Sequence, residues 1–100
     1  IGYACYVFIS DEAHLANIAV VPAYRRKSVA KQLLDRILQL AQEAGCRLIL
    51  LEVRASNNAA RRFYEKAGFT ELYQRPRYYR HPVEDAVVML LPLTPATNDR

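Results

Sequence analysis

The sequence predicts an α/β (α+β) fold, one mixed sheet with two helices in the order ββαβαββ. Three observations carry this. Residues 1–10, "IGYACYVFIS", alternate and are rich in Tyr, Val, Phe and Ile, as strands are. From residue 26 to 44 the apolar positions recur at helical spacing. Between that stretch and a second helical one lies "RLILLEV" (47–53), short, continuous and aliphatic, which reads as a central strand buried on both faces.

Each element follows from local signals. "SDEA" (10–13) reads as a turn, so residues 14–21 return antiparallel as a second strand, which Pro22 stops. In the first helix, Val29, Ala30, Leu33, Leu34, Ile37, Leu38, Leu40, Ala41 and Ala44 form a core-facing band, and Gly45 ends it. Strand, helix, strand implies a right-handed crossover with strands 14–21 and 47–53 parallel. Residues 56–69 read as a second helix capped by Ser56 or Asn57, with Ala60, Phe63, Tyr64 and Ala67 inward and Gly68 closing it. Residues 69–79 and 85–92 form a last antiparallel pair around "RHPVED". The tail 94–100, "TPATNDR", is polar.

Bulk properties bound the function. One hundred residues make a single domain, taken as residues 1–93. With 52% apolar and 24% charged residues the chain belongs among ordinary globular proteins. No apolar run approaches the roughly 20 residues that span a bilayer, and no signal-peptide pattern opens the chain, so no membrane partner is expected. A formal charge of +4 permits an anionic ligand but is too dispersed to argue for a nucleic-acid groove. Cys5 and Cys46 lack metal-like spacing and read as buried, reduced thiols, the alternative being a disulfide; the reduced reading points to the cytoplasm, and no metal is expected. Ile1 is not an initiator Met, and the chain is expected to be a piece of something longer.

Three features carry chemistry. In "YRRKSVA" (24–30) Arg25, Arg26 and Lys27 crowd a helix N-terminus, where each cation is unfavourable by roughly 0.3–1 kcal/mol. An anion bound to the free N–H groups there would remove the conflict; the alternative is a solvated basic turn. Glu52 places a carboxylate in an aliphatic strand, where desolvation would raise its pKa and suit a general base. The alternative is a structural carboxylate paired with Arg54 or Arg61. Third, Asn57, Ala60 and Tyr64 fall on one helical face, so that Asn57 and Tyr64 reach the same cleft, or else serve as a cap and a core residue.

Together these stretches resemble the GCN5-related N-acetyltransferase (GNAT) superfamily. "RRKSVA" (25–30) matches its pyrophosphate motif Q/R-x-x-G-x-G/A except at Ser28. "NIAVVPAYRRKSVA", "LEVRASNNAARRFYEKAGF", "RYY" and "EDAVVML" are similar to one group within it, the ribosomal-protein-alanine N-acetyltransferases, from about Asp11 onward. The resemblance implies acetyl-CoA as cosubstrate. It implies that Ile18, Ala19 and Val20 pair with the pantetheine arm and that the Val20 N–H polarises the thioester carbonyl. Arg25, Arg26, Lys27, Ser28, Val29, Ala30 and Lys31 would hold the pyrophosphate, and Asn57 would also contact the cofactor. Glu52 would accept a proton and Tyr64 would give one to the leaving thiolate.

Two departures are visible. Ser28, expected in helical conformation, puts a Cβ where the motif has glycine and should weaken binding. The resemblance also implies a further strand or two and two helices ahead of the segment starting at Ile1, the helices forming one wall of the acceptor groove, and this chain is expected to lack them. The reading favoured is acetyl transfer to a protein N-terminal α-amine, in this group that of a ribosomal protein. Transfer to a small-molecule or lysine amine, or a non-catalytic remnant that binds acyl-CoA or dimerises, are the alternatives. A homodimer formed through the edge of strand 1–10 is expected.

Overall fold

The computed structural model describes residues 2–20 and 28–93. It contains β1 (Gly2–Ile9), β2 (Glu12–Val20), α1 (Val29–Glu43), β3 (Leu48–Arg54), α2 (Asn58–Lys66), β4 (Thr70–Arg80) and β5 (Val83–Pro92), the expected order. The five strands form one sheet in the order β1-β2-β3-β5-β4. The chain divides into two compact units, one with β1, β2, α1 and the start of β3, the other running from Leu50 to Leu91.

In the first unit β1 and β2 pair antiparallel from Ile9↔Glu12 to Gly2↔Val20, with one irregularity between Cys5 and Tyr6. The turn is tighter than "SDEA", because Ser10 takes a left-handed φ of 57° and β2 begins at Glu12. α1 packs on β1 and β2 and buries Leu34, Ile37 and Ala41, the middle of the predicted band; Ala44 is exposed. Ala44 caps its C-terminus and Gly45 follows at φ 82°, a conformation that favours glycine. The expected helix start at Arg26 lies outside the described residues; the described helix begins at Val29.

The cysteines part company. Cys46 is fully buried, and burial first, then the Asp11 charge, pushes its thiol up. Cys5 is exposed, contrary to the reading of both as buried, because it falls on the open side of β1; both thiols are free.

The second unit corrects one expectation. β3 alternates: Ile49, Leu51 and Val53 are buried, while Leu48, Leu50, Glu52 and Arg54 are half-buried. The strand covered on both faces is β5, whose Ala86, Val87, Val88 and Met89 are buried in succession. Its neighbours are β3 and β4, so its position in the sheet accounts for the continuous run. α2 buries only Tyr64, with Ala60, Phe63 and Ala67 half-buried. β4 and β5 are joined by His81 and Pro82 alone, a shorter connection than "RHPVED". The Arg54 guanidinium closes that turn, donating to the Pro82 carbonyl at 3.0 Å and the His81 carbonyl at 3.1 Å.

Candidate active site

Ile18, Ala19 and Val20 end β2 and pair with Ala4, Tyr3 and Gly2 of β1. Arg25, Arg26 and Lys27 lie outside the described residues. The start of α1 is described. Gln32 N–H bonds the Ser28 carbonyl at 3.0 Å, the first helical bond. The N–H groups of Val29, Ala30 and Lys31 therefore precede the helical ladder and are donors to whatever sits at the helix start. The Lys31 ammonium itself is engaged by Asp35 at 3.0 Å, one turn on.

Ser28 corrects the expectation of a helical serine. It is the N-cap at φ 62°, ψ 19°, left-handed, and its hydroxyl makes no capping bond. The motif's glycine thus has a backbone reason as well as a steric one: the turn into α1 needs φ > 0. An L-residue there costs roughly 1–2 kcal/mol, partly offset by the freedom glycine would have when unfolded. Ser28→Gly should therefore raise Tm by a few degrees in a thermal melt, and an unchanged Tm would show that the turn carries no such strain. The N–H groups that precede the helical ladder, the Ser28 hydroxyl that makes no capping bond and the left-handed turn fit a phosphate group.

Asn57 caps α2, its Oδ1 accepting from Ala60 N–H at 3.1 Å. That leaves the amide NH2 as the part of Asn57 able to meet a ligand. Tyr64 is a core residue, edge-on to Phe63 at 5.1 Å and to Phe69 at 5.5 Å between centroids. Burial pushes its phenol up, so it stays protonated at neutral pH, as a proton donor must.

Glu52 is neither isolated nor paired with Arg54 or Arg61. Its Oε2 accepts from Arg75 Nη1 at 2.5 Å, and its side chain is 32% exposed. Arg54 pairs instead with Glu84 at 3.4 Å, and Arg61 with Glu71 at 3.2 Å. Hydrogen bonds from Ser56, then the Arg54 guanidinium, hold Glu84 below the usual carboxylate range. The hydrogen bond to Glu52, in turn, holds Arg75 firmly charged. Among the described residues no bond reaches Glu52 Oε1, so one oxygen is held and one is open.

Arg75 is the residue that sequence reasoning missed. Its signal was the proline in "RPRYY": a proline within a strand-like run marks an edge strand or a bulge, and a bulge re-aims side chains.

The unit from Leu50 to Leu91 thus holds Glu52, Asn57 and Tyr64, and the other holds Ile18–Val20 and Ser28–Lys31. Among the described residues no group of three or more His, Cys, Asp or Glu side chains is placed to hold a metal ion. No described helix is long and apolar enough to cross a membrane.

A family model described as the acetyltransferase (GNAT) family matches residues 1–69. The chain belongs to the GNAT family. Among GNAT relatives, the [ribosomal protein bS18]-alanine N-acetyltransferase of Escherichia coli K12 is 40% identical over 95 residues, covering 93% of this chain and 64% of that protein. The crystal structure of the ribosomal-protein-S18-alanine N-acetyltransferase from Escherichia coli superposes with a TM-score of 0.86 at 39% identity, over 99% of this chain and 65% of that one. The NatC complex, solved with Gag peptide and CoA, matches at a TM-score of 0.79 and 30% identity, over 93% of this chain and 58% of that one. The chain spans 64% of the length of its Escherichia coli relative. The GNAT mixed sheet of five strands with two helices is thus common to this chain and its structural neighbours.

Proposed function

We propose that residues 1–93 form an acetyltransferase domain that moves an acetyl group from acetyl-CoA to the N-terminal α-amine of a protein, a ribosomal protein by analogy with the Escherichia coli relative. The observation that carries the reading is Glu52, a half-buried carboxylate with one oxygen held by Arg75 and no bond to the other among the described residues. In the reaction Glu52 takes the proton that the amine loses as its nitrogen bonds to the acetyl carbonyl carbon. Tyr64 gives its phenolic proton to sulfur as the C–S bond breaks. An α-amine has a pKa of about 8 and the CoA thiol is comparable to cysteine at about 8.5, so neither proton transfer is steep. Ile18, Ala19 and Val20 take the pantetheine arm. The pyrophosphate falls to Arg25, Arg26, Lys27, Ser28 and the N–H groups of Val29, Ala30 and Lys31. Asn57 contacts the cofactor through its amide.

The reaction belongs in the cytoplasm, the compartment in which free thiols such as Cys5 and Cys46 persist. The test is incubation with acetyl-CoA and a peptide beginning with alanine, read by mass spectrometry. A gain of one acetyl group at the α-amine is expected. Acetylation of a lysine or small amine instead would move the chain to another acceptor class, and no transfer at all would leave an acyl-CoA binder.

The protein is proposed to act as a homodimer. β1 is an edge of the sheet and exposes Tyr3, Tyr6, Val7 and Ile9, a template for a second copy. Light scattering should give twice the chain mass at micromolar concentration, and Tyr6→Lys should lower it. A monomer mass that does not change with concentration excludes the dimer.

A further inference from the structure

Glu52 and Arg75 are 23 residues apart and stand on strands separated by β5, yet they form the shortest ion pair among the described residues. A bulge follows Arg75 directly on β4. Between Arg75↔Ala86 and Tyr79↔Glu84, β4 sets three residues (Pro76, Arg77, Tyr78) against one, Asp85. Pro76 has no N–H for the ladder, which the edge position of β4 tolerates. Arg77 turns left-handed at φ 55°, and its N–H bonds Asp85 Oδ1 at 2.9 Å. In a regular strand residues 75 and 78 face opposite ways. Here the Arg75 guanidinium carbon lies 4.1 Å from the Tyr78 ring centroid. Stacked on Tyr78 and bonded to Glu52, the guanidinium is held from two sides.

We propose that Arg75 is the positioning residue for Glu52, pinning Oε2 so that Oε1 meets the acceptor amine, and placing a fixed positive charge that disfavours the amine's ammonium form. The proposal rests on the reading of Glu52 as base. A cation beside the bound amine makes protonation of that amine harder, so the nucleophilic form persists to lower pH. The other titratable groups near the pair are Tyr73, Tyr78 and Tyr79 on β4, with Arg54 and Glu84 reaching Tyr79. Burial pushes the Tyr79 phenol up and keeps it protonated, and Arg54 and Glu84 offset one another as a pair. Arg75 is thus the one unbalanced partner that Glu52 meets among the described residues.

Arg75→Met should lower kcat roughly ten- to a hundred-fold, the scale of a misplaced reacting group, with KM for acetyl-CoA unchanged. The acid limb of the kcat–pH profile should move up by about one pH unit. Arg75→Lys, which keeps the charge but not the stacked fork, should restore the pH profile but only part of the rate. If Arg75→Met melts below the assay temperature, Tyr78→Leu carries the test, with kcat falling several-fold at constant KM. Independently of turnover, calorimetry of an alanine-starting peptide in two buffers of different ionisation enthalpy should show protons released on binding, fewer with Arg75→Met. Wild-type kcat and pH profile in Arg75→Met, while Glu52→Gln is impaired, would overturn this inference alone. An unimpaired Glu52→Gln, or a protein that neither turns over nor binds the peptide, overturns the proposed function and this inference with it.

Discussion

Glu52→Gln should cut turnover by about 10²–10⁴ while acetyl-CoA affinity barely changes, the size of effect that loss of a general base produces. Glutamine keeps the shape of the side chain and can still accept from Arg75 through its carbonyl oxygen, so the 2.5 Å contact survives in weaker form and the fold is undisturbed. What is lost is proton acceptance at the open oxygen. Tyr64→Phe should cost less, because a thiol of pKa about 8.5 leaves readily without an acid. The measurement is the initial rate with an alanine-starting peptide across pH 6–9, beside acetyl-CoA binding by calorimetry. An unaltered rate over that range would return Glu52 to a purely structural partner of Arg75.

The second large effect is on stability. Leu34 is 1% exposed at the centre of the α1 face that meets β1 and β2. Leu34→Ala should remove about 2–5 kcal/mol, transfer and cavity terms together. Against a net stability of about 5–15 kcal/mol for a domain this size, that is a large share. Tm should fall by ten degrees or more. Urea unfolding should show a lower midpoint at an unchanged slope. Leu33→Ala, one position away and half-buried, should cost clearly less. Equal losses at the two positions would mean that α1 docks with a different face.

The order of elements was legible because each signal was local: alternation in β1, helical recurrence in α1, the Asn57 cap before α2, Gly45 after α1. The misread elements were decided by distant partners. "RLILLEV" and "AVVML" are both continuous apolar runs, and only the strand order says which is covered on both faces. Ser28 was placed in a helix because its residue type favours no left-handed turn, whereas the glycine of the motif would have announced one. The partner of Glu52 could not be found within a helical turn or on the same strand. It lies across β5 and reaches Glu52 from beside a bulge. For the site, the residue types were readable and their company was not.

The Arg54 clamp has an evolutionary reading. It grips the β4–β5 turn through two main-chain carbonyls, those of His81 and Pro82, and every residue offers the same carbonyl. The hold is therefore blind to which side chains stand at the tip. Position 81 can change while the hairpin stays tied to β3, provided that Arg54 is kept. A library randomised at position 81 should accordingly retain folded members in far greater proportion than one randomised at position 54. The turn is thus a place where new surface chemistry can be tried without renegotiating the scaffold.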